Sequence, residues 1–313
     1  MKAYVVRSLI RAILNMFIVV TVVFVVLRSG PLDPAQFMLG NYATVDSIRT
    51  LRQSMGLDKP LHAQYFEFLN RLLRGNLGRS FLVEKTVISM VSEVLPYTLE
   101  LVIAGVLLGI ILGVPPGIFA ALRPNSLLDQ SIRVLTLAGV SIPIFVIGIV
   151  FIVIFSIYLG ALPAIGGAEP GDLTKHLQHL ILPAFTCGFV NMAGICRLTR
   201  ASMLDALRKE FVVAARAKGL GESTVICKHA LRNALLPLIT YLGIYTNILL
   251  GSAILVEVIF TRPGIGRLIV EAVRSADFPV AQTVIMFYAG AVVIVNLCVD
   301  IAYAIADPRI VDK

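Results

Sequence analysis

Six separate runs of apolar residues constrain this chain more than any other feature. They fall at about Leu9–Leu27, Thr98–Leu122, Val134–Leu159, Leu180–Cys196, Ala234–Phe260 and Val280–Ile305. Each approaches or exceeds the ~20 residues an α-helix needs to cross a ~30 Å hydrocarbon layer. Composition removes the alternatives. Of 313 residues, 58% are apolar and only 15% charged, too little charge to coat a water-facing globule. A soluble enzyme, a disordered chain and a disulfide scaffold are excluded on that ground. The reading is an all-α, polytopic membrane protein with six transmembrane helices. Pro115, Pro116, Pro143, Gly148, Gly188 and Gly194 inside the runs are ordinary for membrane helices that pack on neighbours.

The first run follows Lys2, Arg7 and Arg11, as in a secretory signal. However, Leu27-Arg28-Ser29 is a poor cleavage site and five more runs follow, so it is expected to stay as an uncleaved helix. The net charge of +8 suits retention of basic residues on the cytoplasmic side better than nucleic-acid binding. With the N-terminus inside, the inner segments hold 15 Lys and Arg in 69 positions and the outer loops 11 in 113. Both termini are then cytoplasmic. The expected layout is a helix at 1–29, a periplasmic region at 30–96, a five-helix body at 97–305 and a tail at 306–313.

Chemistry-bearing motifs are absent. No GxxxxGK[ST], HExxH or membrane-embedded GxSxG occurs. Cys187, Cys196, Cys227 and Cys298 lack metal-type CxxC spacing, three of them lie in or beside apolar stretches and read as small buried thiols, and 30–96 contains no cysteine for a disulfide. His176 and His179 read as a solvated interfacial pair rather than a metal site. Glu100, Arg197, Glu257 and Asp300 all lie near ends of runs, whereas ion-driven carriers bury ionisable groups at the midplane. Ser141 and Asn191 are the polar candidates for a translocation path, with interhelical hydrogen bonding as the competing reading.

The segment 204–236, LDALRKEFVVAARAKGLGESTVICKHALRNALLP, is the longest inner loop and does not read as a linker. Residues 204–218 are good helix formers. Leu204, Leu207, Phe211, Ala214 and Ala215 fall on one stripe at spacings of three and four. Gly219 can take the left-handed conformation that ends a helix. Gly221 can cap a second short helix, with Glu222 in its first turn, that ends near Arg232 before Pro237 opens the fifth run. A basic helix–turn–helix with an apolar stripe could rest on anionic lipid or dock into a groove of a partner. The residues alone leave both open.

Ala214-Ala215-x3-Gly219 resembles the core of the EAA loop, the signature of permease subunits in binding-protein-dependent ABC importers. AARAKGL followed by HALRNALLP is similar to the oligopeptide/dipeptide/nickel subfamily. GLDKPLHAQYFEFL and LLRGNLGRSF (56–81), LPYTLEL (95–101), SIPIF (141–145), LTRASML (198–204), RPGIGRL (262–268) and DPR (307–309) agree with it, so the likeness spans nearly the whole chain. Val213 stands where the name-giving glutamate would be, Glu210 lies three residues earlier, and Arg232 replaces a proline.

The resemblance implies a type I ABC importer transmembrane fold in the bacterial inner membrane. It implies a second, homologous permease subunit, two cytoplasmic ATPase subunits that bind the ATP and magnesium, and a periplasmic or lipid-anchored substrate-binding protein. This chain would hold no cofactor and do no covalent chemistry. It would move a solute, foremost a di- or oligopeptide, by alternating access. Glu210, Phe211, Ala214, Ala215, Lys218, Gly219 and His229 would couple it to the ATPase. Amphipathic stretches of 30–96 such as Leu61–Leu73, together with Gly264 and Gly266, would form the outer mouth. An ion-coupled carrier or channel and an intramembrane enzyme are the competing classes, weakened by the missing midplane charges and the missing catalytic pair.

Overall fold

In a computed structural model the described residues are 2–30, 33–40, 43–167 and 172–306. The DPR motif and the tail lie outside them. Among the described residues the chain is helical, with a single antiparallel bridge between Arg79 and Thr86. Five helices are long and apolar enough to cross a membrane, six if one bent pair counts as a span.

Two compact units emerge, residues 1–96 with 263–294 and residues 97–262 with 295–313. In the first unit, α1 (Lys2–Ser29) leads into three short helices, α2 (Pro34–Leu39), α3 (Val45–Ser54) and α4 (Leu61–Leu73). The amphipathic run at Leu61–Leu73 is thus a helix with the predicted bounds. Asp33 and Thr44 cap α2 and α3 by accepting hydrogen bonds from the backbone N–H groups of Ala35 and Ser47. Phe24 of α1 packs edge-on to Tyr65 and stacks on Phe68 of α4, with ring centroids 5.1 and 5.6 Å apart. The first turns of α5 (Val87–Leu122), α12 (Ile265–Arg274) and the start of α13 (Phe278–Ala306) supply the unit's core: Val87, Val91, Ile265, Ala272, Val280, Ala281 and Val284. The stretch between α4 and α5 is tied to the α12–α13 turn. Asp277 accepts from the Ser80 hydroxyl and the Phe81 N–H, and the Thr283 hydroxyl donates to the Leu77 carbonyl.

The second unit contains the rest of α5, then α6 (Leu127–Ser141), α7 (Ile144–Phe151), α8 (Leu173–Leu207), α9 (Glu210–Ala217), α10 (Glu222–Thr224) and α11 (Leu231–Ile259). A glycine ladder joins α5 to α8. Gly105, Gly109, Gly113 and Gly117 recur every four residues on one face. Side-chain carbons built on them would come within 2.6 Å of Cys187, 2.6 Å of Asn191, 2.9 Å of Ile195 and 2.6 Å of the Cys196 carbonyl. The two backbones approach this closely because the glycines have no Cβ, as in the small-residue seams of other membrane helices. Gly117 is the least forgiving position, since its obstacle is backbone. Gly117→Ala is expected to destabilise the protein by about 1–3 kcal/mol, seen as a lower midpoint in thermal unfolding in detergent. Gly251→Ala, where nothing lies within 4 Å of the added carbon, should leave it unchanged.

Three expectations about the spans are corrected. The third run is not one straight helix: α6 and the α7 segment meet at 103°. Pro143 forces the preceding Ile142 into extended backbone (ψ 127°), which ends α6 at Ser141. The fourth run does not stop at Arg197. α8 continues to Leu207, and the Arg200 it carries is paired with Asp129 within the protein. The second short helix of the 204–236 segment does not stop near Arg232. It passes through a π-helical stretch, Val225–Ala230, directly into α11, so Pro237 lies inside that helix.

Candidate functional site

The 204–236 segment is built on an apolar anchor. Met203 and Ala206 at the end of α8, Val212 and Ala215 of α9, Val225 and Ala230 of the π-helical stretch, Ala234 of α11 and Ala121 of α5 form one buried cluster. Burying Val212 completely contributes about 1.5–3 kcal/mol. The chain turns at Arg208-Lys209 rather than running as a single helix over 204–218. Lys209 is extended (ψ 148°), and α9 restarts with Glu210 in its first turn, where the helix dipole favours a carboxylate.

That restart rotates the apolar stripe away from its predicted position. Ala215 points into the chain's own core, 5% exposed, and so does Val212. Phe211, Val213 and Leu220 stay 40%, 59% and 41% exposed, and Ala214 is exposed beside them. Glu210 and Lys218 are also exposed, and His229 is half-buried with its carbonyl accepting from Asn233. The result is an apolar ridge with charged neighbours, held from behind by small buried side chains.

Gly219 ends α9 as its sequence suggests. Its φ is +78°, the Leu220 N–H donates to the Ala215 carbonyl and the Gly219 N–H to the Arg216 carbonyl, the paired bonds of a Schellman turn. Gly221 then caps α10. Arg216 and Glu222 close the knuckle with a two-pronged ion pair at 2.5 and 3.2 Å. Hydrogen bonding from Arg216 holds the Glu222 carboxyl below its usual pKa. Both groups are exposed, so the pair is worth little in stability. That small contribution is complete at neutral pH and disappears only as Glu222 protonates in acid.

Sequence reasoning missed a buried ion pair behind this segment. Asp129 of α6 is fully buried. Its carboxylate accepts from Arg200 of α8 at 2.5 and 2.7 Å and from the Asn125 N–H at 2.9 Å, with Arg133 at 3.7 Å. Arg200 lies less than two turns before the end of α8, so the pair ties the α5–α6 connection to the helix that feeds the ridge. Arg200 was visible in LTRASML, and Asp129 in the first turn of a helix, but 71 residues separate them.

A second charged cluster lies at the other end of the same unit. Arg262 of the RPGIG motif is buried, donates to Glu100 Oε2 at 2.7 Å, and sits over the Tyr97 ring at 5.4 Å. Burial pulls its pKa down, and Glu100 and Glu257 oppose that. His176 Nε2 is 2.8 Å from both Glu100 oxygens, and the Thr98 hydroxyl donates to buried Glu257 at 2.6 Å. His176 is therefore a carboxylate partner, not half of a histidine pair. His179 Nδ1 lies instead 2.8 Å from the Lys175 carbonyl.

Ser141 sits at the α6–α7 bend, exposed, with its hydroxyl donating to the Leu137 carbonyl. Asn191 is buried in the α5–α8 seam against Gly109, and its Nδ2 has no hydrogen-bond partner among the described residues. Among the described residues no hydrogen bond joins the two.

Residues 105–312 match the family described as binding-protein-dependent transport system inner membrane component, and residues 1–102 match the N-terminal component of such systems. A di/tripeptide transport system permease protein, DppB, from Pseudomonas aeruginosa is 37% identical, and the glutathione transport system permease protein GsiC of Escherichia coli K12 is 36% identical. Each alignment covers 99% of both chains. A dipeptide transport system permease protein from Alkalihalophilus pseudofirmus is 38% identical over the same shares. Among solved structures, an inward-facing MetNI methionine ABC transporter chain shares the fold. Its TM-score is 0.54 at 17% identity, over 70% of this chain and 96% of that one.

Proposed function

The chain belongs to the binding-protein-dependent transport system inner membrane components, as a permease subunit of an ABC importer in the bacterial inner membrane, and from that premise we propose how it works and what it carries. Its substrate class is the di- or oligopeptide, which relatives named for dipeptide, di/tripeptide and glutathione transport support. It pairs with a second permease subunit, takes solute from a binding protein, and is driven by two ATPase subunits that hold the nucleotide and magnesium. Both termini face the cytoplasm, in keeping with the density of Lys and Arg in the inner segments.

One observation carries the coupling role: an apolar ridge left open on a buried anchor. Phe211, Val213, Ala214 and Leu220 meet the ATPase, with Glu210, Lys218 and His229 flanking them. Val212 and Ala215 hold the ridge rigid, and Gly219 sets its angle. ATP-driven closure of the ATPase pair then moves α8 and α11 together, because both enter the same anchor. No step of this cycle needs covalent chemistry in the chain; the protein is a bistable element biased by partners.

The test is uptake of a labelled dipeptide into proteoliposomes holding both permeases and both ATPases. Uptake should require ATP and the binding protein together. Uptake driven by an ion gradient without ATP would replace this reading with a secondary carrier. Uptake of some other solute, with dipeptides excluded, would overturn the peptide assignment alone.

A further inference from the structure

The first unit contains a cavity of about 260 Å³ that the transport cycle above leaves unused. Arg28 at the end of α1, Arg71 of α4, Arg79, and Gln282 in the first turns of α13 line it. Three arginines, and no Asp or Glu, are among the residues that line it. Acids close to these residues are already committed: Asp277 accepts from Ser80 and Phe81, Glu67, one turn before Arg71, pairs with Lys59 at 3.0 Å, and Asp33, which shares a neighbouring pocket with Arg28, pairs with Arg52 at 2.8 Å.

Two of the lining residues carry a buried donor that is left over. Arg28 is fixed by its Nε bond to Gln64 Oε1 at 2.7 Å and by the Phe24 and Phe278 rings, 4.9 and 5.4 Å from its guanidinium carbon. Yet its Nη1 is buried with no hydrogen-bond partner among the described residues. Gln282, only 5% exposed, likewise has an unpartnered Nε2. A buried donor left unmade costs about 1–3 kcal/mol, so two of them on residues that border the same space as the exposed Arg71 and Arg79 favour an acceptor there. The N-terminal end of α13 adds its partial positive charge.

We propose that this cavity binds a phosphate group. Planar guanidinium forks match phosphate oxygens in pairs, and the volume suits a headgroup-sized ion rather than a peptide. The level in the membrane fits as well. The α1 span ends at Ser29 and the α13 span begins at Phe278, so the cavity lies where both spans reach water, the depth of phospholipid phosphates. The phosphate can come from a lipid headgroup or from free inorganic phosphate.

The experiment uses the purified importer complex in detergent and follows its thermal midpoint. Inorganic phosphate is titrated in one arm and short-chain phosphatidylglycerol in the other, with sodium chloride at matched ionic strength as the control. The wild-type midpoint should rise with at least one of them and not with chloride. A response to lipid alone marks a headgroup site, and a response to inorganic phosphate marks a free-ion site. Arg79→Gln and Gln282→Met should weaken the apparent affinity at least tenfold while the ligand-free midpoint stays near wild type. Arg28→Gln should do the same, but Arg28 also braces α4, so the first two variants decide the matter. No rise with either phosphate source, or an equal rise in the variants, overturns the proposal.

Discussion

Replacing Arg200 with methionine is expected to cost the folded protein about 3–5 kcal/mol, and to lower transport through loss of folded subunit. Methionine keeps most of the buried stem but removes both prongs that neutralise Asp129. The carboxylate is fully buried, and Arg133 at 3.7 Å is too distant and too exposed to take over. What is lost is less the attraction of the pair than the solvation of a buried charge by its partner. Asp129→Asn on its own reverses the imbalance: it strands the Arg200 cation, 20% exposed and able to reach solvent, so it should cost less. The double variant Asp129→Asn/Arg200→Met should recover most of the loss, because no buried charge is then left alone. Unfolding midpoints of the four proteins in detergent check this. A fall for Arg200→Met no larger than that for Asp129→Asn would show that the ion pair is not what holds α6 to α8.

This ion pair also shows where sequence reading stops. The spans were legible because the bilayer sets their length and the chain must supply that length locally. The knuckle at Gly219 was legible because a left-handed residue after a helix needs only its own neighbours to be recognised. The partnerships were not. Asp129 and Arg200 are ordinary charges near run ends until folding makes them adjacent, and Glu100 and Arg262 are 162 residues apart. The glycine spacing at 105, 109, 113 and 117 is plain in the sequence, but the helix it fits against is not. A proline such as Pro143 is tolerable within a span by sequence alone, and here it turns the chain by 103°. The stripe through Phe211, Ala214 and Ala215 assumed unbroken helical phase from residue 204. The break at 208–209, where Arg208 ends α8 and Lys209 is extended, shifted that phase, so that Ala215 became anchor and Val213 became surface.

Gly219→Val is expected to abolish transport while leaving the fold in place, and the separation of those two effects is what tests the coupling role. Nothing lies within 4 Å of a Cβ built at Gly219, so the branch point of valine meets no steric obstacle there. The penalty comes from the backbone alone, roughly 1–2 kcal/mol for a branched residue held at φ +78°. That is a small fraction of the stability of a six-span protein, and the unfolding midpoint should shift little. The strain is relieved locally if the turn abandons its left-handed residue, which breaks the Leu220-to-Ala215 and Gly219-to-Arg216 bonds and swings the ridge of Phe211 and Val213 relative to α10. A ridge at the wrong angle cannot follow the ATPase, so uptake should fall at least tenfold and ATP hydrolysis should cease to respond to the binding protein. Gly219→Asn supplies the control, since asparagine enters the left-handed region more readily than other side chains; it should retain most of the transport. Valine and asparagine variants with equal, near-wild-type uptake would mean that the turn is only a helix end, and the ridge would need another way of being moved.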